Sequence, residues 1–221
     1  MFRQFRKIES GEQIVVGYDL SMGGPDYSAA QFMSRTKYDV PLVYHSNVIA
    51  TEATNAIVPV LEKIFEITGI PPVIAPERNS GGVFEIERMV EMNRLGKYQV
   101  FVEPTGAGTM GTTPSKRYGW TTSSTTRPKM LEDLKHALDK NLIRVYDSAT
   151  VNEMFAFIVT QTSHAWRAQA ERGAHDDLIM SLAIALQLHQ DARVAQMSDE
   201  QWDTAIDQIP DVNLIDSKGF Y

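Results

Sequence analysis

The sequence predicts an α/β fold: a central mixed β-sheet flanked by helices, opening with an antiparallel three-strand meander. Residues 13–20, 28–36 and 40–49 are strand-like runs separated by short turns, which is typical of a meander. Strands and helices then alternate across 51–102, which indicates parallel strands joined by crossovers. A last helix, 176–190, is apolar around most of its circumference, so we expect it to pack deeply against the sheet.

The alternating stretch contains two helices. Apolar residues recur at helical spacing across 51–68, with Gly69 as a stop, and across 82–95. The other predicted elements are strands at 71–76, 98–102 and 142–146, a helix at 127–141, an apolar segment of ambiguous type at 152–160 and a polar connector at 164–173. We expect three segments overall: an N-terminal extension or linker (1–12), one domain (13–191), and a peripheral C-terminal helix or tail (192–221).

The composition is that of a globular protein, since 43% of the 221 residues are hydrophobic and 22% are charged. The absence of cysteine excludes disulfides, thiolate metal sites and cysteine nucleophiles, and fits a cytosolic protein. The sequence shows neither a signal peptide nor an apolar run near the ~20 residues of a membrane span. The net charge of −7 argues against a stand-alone, high-affinity DNA binder, but not against a nuclease with acidic ligands.

Acidic residues in three distant stretches are the strongest functional signal. Asp19 and Glu77 each close an apolar run that predicts a strand, and Asp176 and Asp177 open the apolar helix. If the strands are neighbours and the helix start faces them, three or four carboxylates meet at one point. Each also has a plainer interpretation. Asp19 could be a turn residue, Glu77 a capping or loop glutamate, and Asp176 and Asp177 a cap and first-turn pair.

Carboxylates this close together need a cation between them if all are to stay ionised. Oxygen ligands without thiols favour Mg²⁺ or Mn²⁺, so the pattern predicts a metal-dependent enzyme that acts on phosphodiesters. His175, beside the acid pair, and Ser21 and Asp26, in the turn after Asp19, are expected to support the ligands rather than bind the metal.

The Gly-, Thr- and Ser-rich stretch 104–126 predicts a long loop. Its Lys116, Arg117 and Trp120 suit contact with a DNA backbone and stacking on bases, although a solvated surface loop explains them equally well. The loop lacks the spacing of an ATP phosphate loop. Further cations are candidates for phosphate contact: Arg78 (which could instead pair with a nearby acid), Arg127 and Arg172.

Five motifs occur in a fixed order over residues 13–190. They are Gly17-Tyr18-Asp19-x-Ser21-x-Gly23-x-x-Asp26-Tyr27-Ser28, Pro76-Glu77-Arg78-Asn79-x-Gly81, Gly119-Trp120-x-Thr122, Thr126-Arg127-Pro128 and His175-Asp176-Asp177. Their combination resembles the nuclease domain of tailed-bacteriophage terminase large subunits, a family with an RNase H-like fold related to RuvC-type junction resolvases.

The resemblance implies a DNA endonuclease that cuts concatemeric double-stranded viral DNA during genome packaging, with little sequence specificity. It implies two Mg²⁺ or Mn²⁺ ions, a location in the host cytoplasm and no membrane association. The implied partners are the terminase ATPase motor, the portal and the small terminase subunit. The motor normally precedes this domain and no Walker A motif occurs here, so we expect an isolated nuclease domain or the product of a split gene.

Carried over by position, Asp19 and Glu77 match the first two acidic ligands of the family. Asp177 is the expected third, and Asp176 assists it. Related resolvases add an acid about three residues later, where this chain has Met180, which favours the terminase variant. The alternatives are a RuvC-like resolvase or transposase-type nuclease, a non-catalytic packaging interaction module, and an RNase H-fold phosphotransferase, for which the phosphate loop is missing.

Overall fold

The structure is a computed structural model. It describes residues 1–21, 23, 26–78, 82–103, 116–155, 157–162, 165–170 and 175–191. Within them, the helices are α1 (Ala50–Thr68), α2 (Gly82–Met92), α3 (Thr126–Asp139), α4 (Ser148–Phe155) and α5 (Asp177–Gln190). The strands are β1 (Phe2–Gln4), β2 (Ile14–Asp19), β3 (Ser28–Ser34), β4 (Asp39–Ser46), β5 (Val73–Pro76), β6 (Gln99–Val100), β7 (Val102–Glu103), β8 (Arg117–Tyr118), β9 (Arg144–Val145), β10 (Phe157–Thr162) and β11 (Ala165–Ala170).

A mixed sheet of seven described strands organises the fold. Its order is β1-β4-β3-β2-β5-β6, and β9 pairs with β4. Strands β2, β3 and β4 form the antiparallel meander predicted from the sequence. Strands β5 and β6 continue the sheet parallel to β2, as the alternation of helices and strands indicated. The predicted fold class is therefore confirmed.

Helices cover both faces of the sheet. Successive residues of β2 point to opposite faces, so the strand contacts helices on both sides. Val16 and Tyr18 belong to the hydrophobic core that α1 and α2 complete, and the Tyr18 hydroxyl donates to the Ala50 carbonyl at 3.3 Å. On the other face, Gly17 lies directly against α5. Among the described residues, no helix is long and apolar enough to cross a membrane.

Residues 1–12, expected to be an extension or linker, belong to the same compact unit as the sheet. Phe2–Gln4 form an edge strand whose register pairs Phe2 with Tyr44, and Ile8 is buried. Glu12 is buried as well, and its carboxylate accepts hydrogen bonds from Arg6 at 2.9 and 2.8 Å. The N-terminal segment is therefore held by strand pairing and by a charged contact.

The polar connector predicted at 164–173 is wrong in part, because 165–170 form β11, paired antiparallel with β10. Residues 165–170 do not alternate between apolar and polar side chains, so hydrophobic periodicity does not reveal this strand. The strand is recognised only by its main-chain pairing with β10. The ambiguous 152–160 segment divides between the end of α4 and β10. The predicted 98–102 strand also divides, since β6 joins the main sheet and β7 pairs with β8. The predicted tail, 192–221, lies outside the described residues.

Candidate metal centre

Asp19 and Glu77 lie at the carboxyl ends of neighbouring parallel strands. In the register of β2 and β5, Tyr18 pairs with Pro76, and the Glu77 N–H donates to the Tyr18 carbonyl at 2.8 Å. The side chains of the preceding strand residues are buried, so the strand ends are fixed. The two carboxylates are therefore brought to one edge of the sheet by main-chain pairing.

Helix α5 brings a third acid to the same edge. A Cβ atom at Gly17 would lie 2.0 Å from the Ser181 carbonyl oxygen, so only glycine allows the helix to pack this close. From Gly17 to Asp19 the strand advances about 6.6 Å. From Ser181 back to Asp177, the four residues of helix span about 6 Å. The helix start thus lies above the end of β2.

The acids of this edge influence one another's pKa values. Burial raises the pKa of Asp19 well above its ordinary value, and the charge of Glu77, which shares a hydrogen bond with Asp19, raises it further. The charges of Asp177 and Asp176 add to this shift. Burial also raises the pKa of Asp177 to about 6, against the Tyr27 backbone N–H that lowers it. The charges of Glu77, Asp177 and Asp176 therefore all act on Asp19.

This donor set fits a hard divalent cation, because it is made of carboxylate oxygens whose mutual repulsion a cation would relieve. Among the residues that the structure describes, no three Asp, Glu or His side chains already surround one point at ligating distance. Asp19 and Glu77 share a hydrogen bond. Asp177 Oδ2 is held weakly, by the Tyr27 N–H at 3.4 Å and His175 Nδ1 at 3.7 Å, so its side chain can turn toward that pair.

The two adjacent acids of α5 have different partners. Asp176 forms an ion pair with Arg127, at the start of α3. Asp177 lies beside Tyr27 and His175, and the His175 ring stands edge-on to the Tyr27 ring at 5.1 Å. This difference favours Asp177 over Asp176 as the acid available to Asp19 and Glu77.

The turn after Asp19 is ordered by Ser21, whose side chain is buried. Its hydroxyl donates to the Asp26 carbonyl at 3.0 Å and accepts from the Gly23 N–H at 3.0 Å. Asp26 is exposed; its main-chain carbonyl accepts from Ser21, and its side-chain charge adds to the raised pKa of Asp177. Ser21 and Asp26 therefore shape the backbone next to the first acid.

The Gly119-Trp120 motif extends the sheet beside Glu77. Trp120 forms a parallel bridge with Glu77, and the Trp120 N–H donates to the Pro76 carbonyl at 2.8 Å. Gly119 has a φ of +86°, and a Cβ there would lie 2.7 Å from the Pro76 carbonyl oxygen. The motif thus supports the backbone of Glu77. The close approach of the two backbones explains why position 119 is a glycine.

The residues predicted to bind DNA differ in exposure. Lys116 is exposed, and Arg117 is half-exposed with Nε 3.3 Å from Glu103 Oε2. Trp120 is partly buried. Its indole N–H donates to Met130 Sδ at 3.2 Å, and its ring packs on Phe101, so the described role of Trp120 is packing. The Arg78 guanidinium donates to the Tyr118 carbonyl, Arg127 binds Asp176, and Arg172 lies outside the described residues.

Glu153 is a fifth carboxylate at the site, and the sequence analysis missed it. It lies on α4, and its Oε1 accepts from the Ile179 N–H at 3.0 Å. Burial raises its pKa to about 8, with added repulsion from Asp177 and Asp176. It sits in an apolar segment with no local pattern, so no signal in the sequence distinguishes it from a surface glutamate.

Comparison with solved structures identifies the fold. The nuclease domain of the large terminase from thermophilic phage G20c shares 16% identity over 83% of this chain and 90% of that chain, with a TM-score of 0.58. The corresponding Thermus phage P74-26 domain shares 16% identity over 82% of each chain, with a TM-score of 0.59. The human cytomegalovirus terminase nuclease domain, Mn-soaked and inhibitor-bound, shares 11% identity over 84% and 87%, with a TM-score of 0.53.

The phage G20c domain has also been solved with bound cobalt and with bound magnesium, at TM-scores of 0.60 and 0.57. No protein-family model matches the sequence. At these identities the likeness establishes architecture, and it agrees with the strand order of the sheet described above. The chain therefore has the RNase H-like fold of the large terminase nuclease domains.

Proposed function

We propose that this chain is the metal-dependent endodeoxyribonuclease domain of a viral genome-packaging terminase. The observation that carries the proposal is the gathering of Asp19, Glu77 and Asp177 at one edge of a sheet that has the terminase nuclease fold. The substrate would be concatemeric double-stranded DNA. Sequence specificity would be low, because no element of the described chain resembles a base-reading module.

Asp19, Glu77 and Asp177 would hold the divalent ions, with Asp176 assisting. Two Mg²⁺ or Mn²⁺ ions held there would supply Lewis-acid chemistry for activation of a water and for stabilisation of the departing 3′ oxygen. The products would carry a 5′ phosphate and a 3′ hydroxyl. The chain's own task is to hold the carboxylates in place, which the paired strands, the close packing of α5 at Gly17 and the Trp120 bridge support.

DNA would be held mainly through its phosphates. Lys116 and Arg117 are the exposed candidates, and Arg78, Arg127, Arg172 and the side of Trp120 complete the proposed contact set. Because the chain carries a net charge of −7, we infer that the motor of the terminase contributes much of the affinity for DNA. The portal and the small terminase subunit are the other proposed partners, in the host cytoplasm.

The test is supercoiled plasmid cleavage with Mn²⁺, Mg²⁺ or EDTA, comparing wild type, Asp19→Asn and Glu91→Gln. Glu91 is an exposed acid on α2, so its variant controls for loss of one negative charge. Metal-dependent cutting by wild type and Glu91→Gln, reduced to background in Asp19→Asn, is the expected result. Undiminished cutting by Asp19→Asn would exclude this site. If the wild-type chain does not cut and calorimetry detects no Mn²⁺ binding, the site is an interaction module instead.

A further inference from the structure

The first turn of any α-helix has backbone N–H groups that lack partners within the helix. In α5, the Met180 N–H donates to the Asp176 carbonyl at 2.8 Å, which leaves the N–H groups of Leu178 and Ile179 to be satisfied otherwise. From sequence, Asp176 and Asp177 are the natural groups to cap them, because acidic side chains are preferred at helix starts. The structure does not use them in this way.

Both acids have other partners among the described residues. Asp176 pairs with Arg127 of α3, and Asp177 accepts from the Tyr27 N–H. The cap comes from another helix. Glu153 of α4 accepts from the Ile179 N–H at 3.0 Å, and it also interacts with the Leu178 N–H. Its carboxylate therefore lies across the first turn of α5.

Helix α4 is itself fixed in place, so Glu153 is held where the cap is needed. Asp147 caps α4 by accepting from the Thr150 N–H at 3.0 Å and the Thr150 hydroxyl at 2.7 Å. Arg3 of β1 grips Asp147 with two hydrogen bonds, at 2.8 and 2.7 Å. Gln31 of β3, fully buried, donates to Thr150 Oγ1 at 2.9 Å and to the Leu178 carbonyl at 3.3 Å.

We infer that Glu153 is a positioning residue that caps α5 in place of Asp176 and Asp177, and thereby leaves Asp176 to its ion pair with Arg127 and Asp177 to the metal centre. The capping contact is independent of the proposed function. Its expected effect on metal binding and DNA cleavage rests on that function. Without the cap, one of the two acids would turn back onto its own helix start and be lost to the cation site.

Three variants of the full 221-residue chain separate the cap from the charge. Glu153→Ala removes the acceptor, whereas Glu153→Gln keeps an oxygen acceptor without the charge. Asn152→Ala, one position earlier on α4 and exposed, is the matched control. If Glu153→Ala fails to fold, Glu153→Asp replaces it, because a side chain one methylene shorter withdraws the oxygen from Ile179.

The first readout is amide hydrogen exchange at Leu178 and Ile179, measured by NMR without metal. We expect exchange roughly fivefold or more faster in Glu153→Ala, as for loss of a helix cap, and near-wild-type exchange in Glu153→Gln and Asn152→Ala. Wild-type protection in Glu153→Ala, or in Glu153→Asp if that variant is needed, would overturn the inference. Equal loss of amide protection in Glu153→Gln and Glu153→Ala would also overturn the inference.

The second readout is Mn²⁺ affinity, by calorimetry and by the Mn²⁺ concentration that gives half-maximal plasmid cleavage. Loss of a group that orients ligands typically weakens metal affinity about 10–100-fold, and we expect that range for Glu153→Ala with recovery in Glu153→Gln. Unchanged Mn²⁺ affinity in Glu153→Ala would overturn the link to the site. A wild-type chain that neither binds Mn²⁺ nor cleaves would refute the proposed function alone, and amide exchange would still decide the cap.

Discussion

Carboxylates gather at both ends of β2, buried at its start and half-buried at its end, and the pKa values of Glu12 and Asp19 are shifted in opposite directions. Before the strand, Arg6 binds Glu12 and Asp39, with Nε 2.7 Å from Asp39 Oδ2 and Nη2 2.8 Å from Glu12 Oε2. Burial works to raise the pKa of Glu12, but Arg6 and the other hydrogen-bond donors outweigh it, and the pKa is lowered. After the strand, Asp19 meets Glu77 and Asp177, and its pKa is raised.

The difference separates a structural cluster from a functional one. At the Arg6 end, each acid has a counter-charge within the protein, so nothing further is required of the site. At the Asp19 end, the charges that act on Asp19 are those of other acids, Glu77, Asp177 and Asp176, and a bound cation or a proton would relieve their repulsion. Carboxylates whose pKa is raised by neighbouring acids are candidates for function, whereas acids whose pKa is lowered by a paired arginine serve stability.

The largest expected effect on stability is at the Arg6 end. Arg6→Met leaves Glu12 and Asp39 buried without their main partner, which we expect to cost about 3–5 kcal/mol of unfolding free energy. Urea denaturation at pH 7 measures it. The control is Lys63→Met, which removes an exposed pair with Glu66 and should leave the midpoint unchanged. A loss no larger than that of the control would contradict the structural role of the Arg6 cluster.

At the Asp19 end, the corresponding substitution should act in the other direction. Asp19→Asn removes one of several mutually repelling buried charges, so the metal-free variant should unfold at a temperature equal to or above that of wild type. Mn²⁺ at 100 times its dissociation constant should stabilise wild type by about 2.7 kcal/mol and the variant by much less. Calorimetric scans with Mn²⁺ or EDTA measure both. Equal stabilisation of the two proteins would place the cation elsewhere.

The pH dependence of stability should also differ between the two ends. The folded-state pKa of Asp177 is raised from 3.8 to about 6, so the folded state binds more protons than the unfolded state in that window. Without metal, this group makes wild type lose stability as the pH rises from 3.8 to about 6. The lowered pKa of Glu12 acts oppositely, since its contribution is lost as the pH falls below its ordinary value, 4.5.

Urea midpoints in EDTA across this range, for wild type and Asp177→Asn, test the sign of the effect. The stability of Asp177→Asn should not decline as the pH rises from 3.8 to about 6. It should still fall at low pH, because the acids paired with Arg6 become protonated there. A profile for Asp177→Asn that matches wild type throughout would show that Asp177 does not titrate in the window.

The smallest expected effect concerns DNA contact. Lys116→Gln should weaken binding to duplexes of any sequence alike and reduce the slope of log affinity against log salt by about 1. Lys140→Gln, which changes an exposed lysine just past the end of α3, is the matched control and should leave the slope unaltered. Fluorescence anisotropy in Ca²⁺, with the motor-containing terminase if the isolated chain binds too weakly, measures it. An unchanged slope in Lys116→Gln would remove this residue from the contact set.

Local patterns in the sequence determined the secondary elements that carry the proposed ligands. The buried run before Asp19, the short strand before Glu77 and the apolar face pattern after Asp177 each predict an element whose end bears an acid. The sequence also predicts the meander and the parallel crossovers, whereas the pairing of β2 with β5 is known only from the structure. These features follow from hydrophobic periodicity and turn residues, which act over a few positions and can be recognised without knowing the fold.

Tertiary structure alone decided how the acids are partnered. The partners are far apart in the chain: Arg127 and Asp176 by 49 residues, Glu153 and Ile179 by 26, and Arg3 and Asp147 by 144. The edge strand β1 and the β10–β11 hairpin likewise depend on main-chain pairing rather than on apolar alternation. Hydrogen bonds and ion pairs between distant residues leave no periodic trace in the chain, because each one depends on a single contact that forms only after the helices have packed on the sheet.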